Sequence, residues 1–134
     1  MQSTGRCLCG SVQYTITAMP TVVLDCHCSM CRRESGAPSL VFVGYRRADV
    51  SIGGPLKYYR SSDIAKRGFC QECGSPVCYE DHADGEFIWI TAGTHDDAAS
   101  LPKREHVYVD DKLPWVEIAE DLVQWPHERA SSKI

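Results

Sequence analysis

At 134 residues, with 43% hydrophobic and 24% charged side chains, the chain suits one ordinary core and is short for two domains. Its formal net charge of -4 excludes a general nucleic-acid binder, which needs a basic face. No apolar run approaches the roughly 18 residues of a membrane span, and Met1 to Arg6 lack the apolar core of a signal peptide. The expected compartment is therefore the reducing cytoplasm, where thiols bind metal more often than they pair.

In chain order, Val12, Tyr14 and Ile16 alternate with polar residues and predict a half-buried strand. Residues 21–24 form a second β-rich run that leads to Cys26. Residues 29–36 are short and polar, a loop or a single helical turn, and 39–43 read as a buried strand. Residues 50–52 and 56–59 are short strands split by Gly53-Gly54-Pro55, a strong turn signal. Residues 66–69 lead into Cys70, and 76–79 with 87–90 form a hairpin across 81–85. Thr94 is placed as the cap of a short helix ended by Leu101-Pro102, with Asp96 and Asp97 in its first turn. Residues 107–109 and 115–118 are late strands. The polar tail, 126–134, is expected to be loose. No helical stripe or repeat appears, so the fold class is mostly β, one domain over residues 1–125.

Seven of the eight cysteines fall in three clusters: Cys7 and Cys9, then Cys26, Cys28 and Cys31, then Cys70 and Cys73. Thiols one or two residues apart present several ligands to one soft cation. Cys70 and Cys73 precede Gly74, and Cys7 and Cys9 precede Gly10, so the two pairs read as matching halves of one four-thiolate zinc site. A redox-active Cys70/Cys73 pair, or thiols packed as small hydrophobes, are the alternatives there. A four-disulfide framework is the alternative for the whole chain, and it needs export. Cys26, Cys28 and Cys31 remain as three ligands, and three protein ligands plus an open position mark a catalytic zinc.

Three thiolates on Zn²⁺ make an electron-rich, weak Lewis acid, better suited to holding a substrate thiol as thiolate than to polarising a carbonyl. The chemistry expected is attack by sulfur on an electrophile. Arg32 and Arg33 are candidate clamps for substrate carboxylates, with solvated surface arginines as the competing reading; Lys66 and Arg67 are weaker candidates. His27 is expected to face substrate or support the site without ligating. Cys78 reads as a buried inert thiol, or as a labile fourth ligand. His82 and His127 are expected to be exposed. His95 and His106 are candidates to line a pocket, and no spacing among the histidines supports metal binding.

Three stretches resemble the glutathione-dependent formaldehyde-activating enzyme family. They are Cys7-x-Cys9-Gly10-x-Val12-x-Tyr14, Cys26-His27-Cys28-Ser29-x-Cys31-Arg32-Arg33-x-x-Gly36-Ala37, and Arg67-x-Phe69-Cys70-x-x-Cys73-Gly74-Ser75. Ala92-Gly93-Thr94, His106-Val107-Tyr108-Val109 and Lys112-Leu113-Pro114-Trp115 also fit. The resemblance implies a zinc domain of short, coiled antiparallel sheets. It also implies a structural zinc on Cys7, Cys9, Cys70 and Cys73, and a catalytic zinc on Cys26, Cys28 and Cys31. The implied activity is that of a carbon–sulfur lyase joining glutathione to formaldehyde as S-hydroxymethylglutathione. Asp121-Leu122-Val123 lacks a proline expected after the leucine, and Cys78 lies outside the family pattern. A zinc-stabilised binding module without turnover, or a relative acting on another small electrophile, are the competing functions. The oligomeric state is not legible.

Overall fold

In the computed structural model, which describes residues 2–81 and 85–130, the period-two segments become strands of two sheets. β1 (Ser3–Arg6) and β2 (Gln13–Ile16) pair antiparallel, and β2 pairs in turn with β5 (Val50–Gly53). The larger sheet holds β3 (Val22–Cys26), β4 (Leu40–Arg46), β6 (Leu56–Arg60), β7 (Ala65–Cys70), β8 (Pro76–Asp81), β9 (Phe87–Thr91) and β10 (Glu105–Val107). Its order is β10-β3-β4-β9-β8-β7-β6. The turn at residues 53–55 therefore passes the chain between sheets and does not close a hairpin.

Side-chain alternation divides the larger sheet into two working faces. Val43 and Tyr45 on β4, Ile88 and Ile90 on β9, and Val77 on β8 point one way and meet Tyr14, Ile16 and Val50 of the smaller sheet in one core. Each such side chain, fully buried, contributes about 1.5–3 kcal/mol relative to exposure. On the opposite face Cys26, Phe42 and Val107 cluster with Cys31, joined by Leu24, Tyr79, Trp89 and Tyr108. The candidate site lies on that second face.

The single α-helix among the described residues, α1 (Ser29–Ser35), is longer than the one turn expected. Cys28 is its N-cap, the sulfur accepting from the Cys31 N–H. The Gly36 N–H closes the other end on the Arg32 carbonyl at 2.8 Å.

Several expectations are corrected. The larger sheet is not wholly antiparallel: β10 runs parallel to β3, with Val107 beside Cys26 and His106 beside Asp25. The chain leaves β9, travels back through short 3-10 turns at 92–94 and 98–100, and enters β10 in the direction of β3. Thr94 ends the first of those turns instead of capping a helix, because its hydroxyl is bound to the Thr91 carbonyl at 2.8 Å. The strand expected at 107–109 ends at Val107, where Tyr108 takes a left-handed φ of 56° and a 3-10 turn follows. Residues 115–118 are not a strand; the backbone turns from Leu113 to Val116 and leaves Trp115 68% exposed. Nor is residue 126 the start of a loose tail. The carbonyls of Pro126 and His127 accept from Asp110 and Tyr108, and Arg129 pairs with Glu105 at 3.1 Å. The expected hairpin joins β8 to β9, but residues 82–84 of its tip, His82 among them, lie outside the described residues.

Candidate metal centres and the cavity beside them

The two flanking cysteine pairs come together across the chain. The sulfurs of Cys7, Cys9, Cys70 and Cys73 all lie within 4.8 Å of one another. Cys7 and Cys9 are 3.6 Å apart, and Cys9 and Cys70 are 3.8 Å apart. A tetrahedron of sulfurs at roughly 2.3 Å from a zinc ion has edges of about 3.8 Å, so the donor set fits that ion. The two halves are built alike. Gly10 (φ 82°) and Gly74 (φ 77°) turn the chain in the left-handed region, and their N–H groups donate to the carbonyls of Cys7 and Cys70. Backbone N–H groups reach the sulfurs, Val12 to Cys7 at 3.3 Å and Cys73 to Cys70 at 3.5 Å. The Ser75 hydroxyl, 3.1 Å from the Cys73 sulfur, leads the interactions that push that thiol down to about 5.

The second cluster unites the end of β3 with α1. The sulfurs of Cys26, Cys28 and Cys31 lie within 4.8 Å of one another. Hydrogen bonding from Cys26 and then from Cys31 holds the Cys28 thiol far down, whereas the neighbouring Cys28 sulfur pushes Cys26 up. Three sulfurs this close cannot all be charged without a cation among them, and three soft donors suit zinc. Arg67 supplies part of the balance: its Nη1 donates to the Cys31 sulfur at 3.5 Å and to Glu34 Oε1 at 2.6 Å. Burial works against the Arg67 charge, but Cys31 and Glu34 more than offset it. These three cysteines, unlike the other four, line a cavity of about 330 Å³.

Of Arg32, Arg33 and His27, the residues first expected to bind substrate, none lines that cavity. Cys28 and Cys31 share one helix face, whereas Arg32 and Arg33 lie about 100° and 200° further round; Arg33 is exposed and neither lines the cavity. His27 is fully buried on the other face of β3. Arg67, a weaker candidate from the sequence, and Arg129, not singled out at all, are the arginines in the lining.

Sequence reasoning also missed a buried polar cluster. His27 Nε2 is 2.8 Å from His106 Nδ1, which lies 3.6 Å from Asp25 Oδ2, and Arg104 donates to that oxygen at 3.0 Å. Burial lowers both histidine pKa values. The only signal was that Asp25 and His27 alternate with Cys26; the pairing with His106, 79 residues after His27, is invisible locally. His95 is not in the lining of that cavity. It sits in the core, accepting from Tyr45 Oη at 2.9 Å. His127 is exposed, as expected. Cys78 belongs to neither cluster; burial pushes its thiol up to about 12.

Fold and site thus define a small, mostly β protein whose cysteines form one four-sulfur cluster and one three-sulfur cluster opening on a cavity. The profile of the glutathione-dependent formaldehyde-activating enzyme family matches residues 2–111, and the chain belongs to that family. An uncharacterised lyase of Schizosaccharomyces pombe is 28% identical over 112 residues, covering 81% of this chain and 79% of the relative. A Halomonas elongata protein named "Putative glutathione-dependent formaldehyde-activating enzyme" is 27% identical over 124 residues, covering 85% of this chain and 79% of its own. The crystal structure of a Rhodobacter sphaeroides protein shares the fold, with a TM-score of 0.57 at 22% identity over 91% of this chain and 98% of that one. Among the described residues no helix is long and apolar enough to cross a membrane.

Proposed function

We propose that the protein is a carbon–sulfur lyase that joins glutathione to formaldehyde, or to a related small aldehyde, with two zinc ions per chain. Cys7, Cys9, Cys70 and Cys73 would hold a structural ion, and Cys26, Cys28 and Cys31 a catalytic one. The observation that carries this reading is the asymmetry between the clusters: four sulfurs close one site, and three leave the other facing a cavity. A zinc ion at the three cysteines would supply the positive charge that keeps an incoming thiol deprotonated at neutral pH.

The chain's own residues do the rest. Arg67, fixed by Glu34 and stacked 5.1 Å over the Tyr79 ring, holds the Cys31 sulfur in place. Asp25, His27 and His106 pack the reverse face of β3 and fix the strand from which Cys26 projects. In the reaction the glutathione sulfur forms a bond to the aldehyde carbon, and the carbonyl oxygen gains a proton. The expected compartment is the reducing cytoplasm, where thiols bind metal more often than they pair.

The test is steady-state formation of the thiol adduct above the spontaneous rate, because thiols add to formaldehyde unaided. Wild type should accelerate it, and Cys28→Ala should return it to background while losing about one of two zinc ions per chain. Equal rates in the two proteins would remove the enzyme claim and leave a zinc-stabilised binding module.

A further inference from the structure

Resting on the reading that a thiol adds to an aldehyde here, the geometry points to an aldehyde carrying an aliphatic chain or aromatic ring as the electrophile this cavity takes in preference to formaldehyde. Formaldehyde has two heavy atoms and fills roughly the share of one water molecule, about 30 Å³. The cavity beside the three sulfurs measures about 330 Å³. Its walls include Leu24, Phe42, Tyr79, Trp89, Val107 and Tyr108. Leu24 and Cys26 share one face of β3, Val107 sits beside Cys26 on β10, and the Phe42 and Tyr79 rings meet at 6.2 Å. A one-carbon, readily hydrated substrate gains nothing from such walls, whereas each methylene buried against them adds affinity.

Glutathione does not account for the apolar lining. It carries two carboxylates and an ammonium. Both lining arginines are engaged, Arg67 with Glu34 and Arg129 with Glu105, so neither is spare for its carboxylates. In this proposal the tripeptide presents its sulfur to the site with its charged ends outside, and the apolar volume is left to the carbon skeleton of its partner. The step balances: the sulfur lone pair forms the carbon–sulfur bond, the carbonyl π pair moves to oxygen, and that oxygen takes one proton from water to replace the one the thiol released. Nothing is oxidised or reduced.

The experiment uses the full-length zinc-loaded protein with glutathione and formaldehyde, butanal, hexanal or benzaldehyde, each rate divided by its own spontaneous rate. Acceleration should rise about 3–4-fold per added methylene through hexanal, the fold-change equivalent of about 0.8 kcal/mol each. Trp89→Ala should lower the hexanal-to-formaldehyde ratio at least about tenfold by removing a wall several methylenes long. Met30→Glu, at a half-exposed lining position where a substitution is tolerated by the fold, should lower the hexanal acceleration about fivefold or more by placing charge in the wall. Binding is read separately with the unreactive hexanamide, which should quench tryptophan fluorescence at least about tenfold more tightly than acetamide. An acceleration that is largest for formaldehyde and falls with each carbon, or equal binding of the two amides, overturns this proposal and leaves the lyase reading standing. No acceleration with any aldehyde overturns both.

Discussion

Removing the Arg67 guanidinium should destabilise the fold far more than neutralising the carboxylate it meets. The Arg67 side chain is 6% exposed and its Glu34 partner 16% exposed, at 2.6 Å. Arg67→Met keeps the aliphatic stem but leaves Glu34 and the Cys31 sulfur without their donor. Breaking a buried pair from one side costs about 3–5 kcal/mol, because the remaining charge is uncompensated. At about 2.1 cal/mol/K of unfolding entropy per residue, that loss lowers the melting temperature by roughly 10–18 °C for a chain of this length. Glu34→Gln keeps an acceptor for Arg67 and should cost only about 1–2 kcal/mol.

The asymmetry follows from the site. Burial raises the Glu34 carboxyl above its ordinary range, against the pull of Arg67. A raised folded-state value means that the protonated form is favoured by folding: the stability it contributes is full below the unfolded value of about 4.5 and is lost as pH rises through the folded one. Ionised Glu34 is therefore a cost at neutral pH, whereas Arg67 serves the sulfur cluster as well as the carboxylate. Guanidinium denaturation at pH 7 and constant zinc should show Arg67→Met, Glu34→Gln and the double variant coupled by about 1–3 kcal/mol. Additivity within about 0.5 kcal/mol, or an Arg67→Met loss below about 1 kcal/mol, would refute the reasoning.

Three further outcomes are expected. Cys70→Ser breaks the four-sulfur cluster, and since a structural zinc contributes about 10–16 kcal/mol against a typical total stability of 5–15, the variant should be unfolded at 25 °C by circular dichroism; a folded variant retaining both metals would count against a structural ion there. Gly68→Ala places a Cβ 2.5 Å from the Cys78 sulfur and should cost about 1–3 kcal/mol, with Gly68→Ala/Cys78→Ala recovering most of it; an additive double variant would show that the crowding lies elsewhere. Burial lowers the His95 pKa, so its contribution is present above the unfolded value of 6.5 and is lost as pH falls through it toward the folded one, by at most about 1.4 kcal/mol per pH unit. The wild-type stability should therefore fall more steeply than that of His95→Gln between pH 7 and 5; parallel curves would refute it.

The sulfur clusters were legible because their spacing is local. So was most of the larger sheet, whose strands carry β-branched and aromatic residues at a period of two. β1, Ser3–Arg6, was not, because its composition has no strand preference and it exists only through its pairing with β2. Residues 115–118 failed for the opposite reason: an apolar run suggested a strand, but among the described residues no strand pairs with it and Trp115 stays in solvent. The arginines were misjudged by proximity. Arg32 and Arg33 adjoin Cys31 in sequence yet leave by other helix faces, while Arg67 arrives from a strand 36 residues away.

That contrast locates what the site depends on. β3 carries Cys26 toward the cavity, and Asp25 and His27 away from it, by alternation alone. A shift of β3 by one residue would swap a thiol for a carboxylate or an imidazole on the cavity face. The register is held on both sides: antiparallel against β4, where Cys26 faces Leu40, and parallel against β10, where Val107 faces Cys26. β10 is itself pinned by the segment behind it, since His106 donates to the Val123 carbonyl and accepts from Trp125 at 2.8 Å each. The Arg104–Asp25 pair and the His27–His106 contact then penalise any slip by leaving buried polar groups without partners. The polar cluster beneath the strand thus acts on the chemistry above it by setting which side chains of β3 face the cavity.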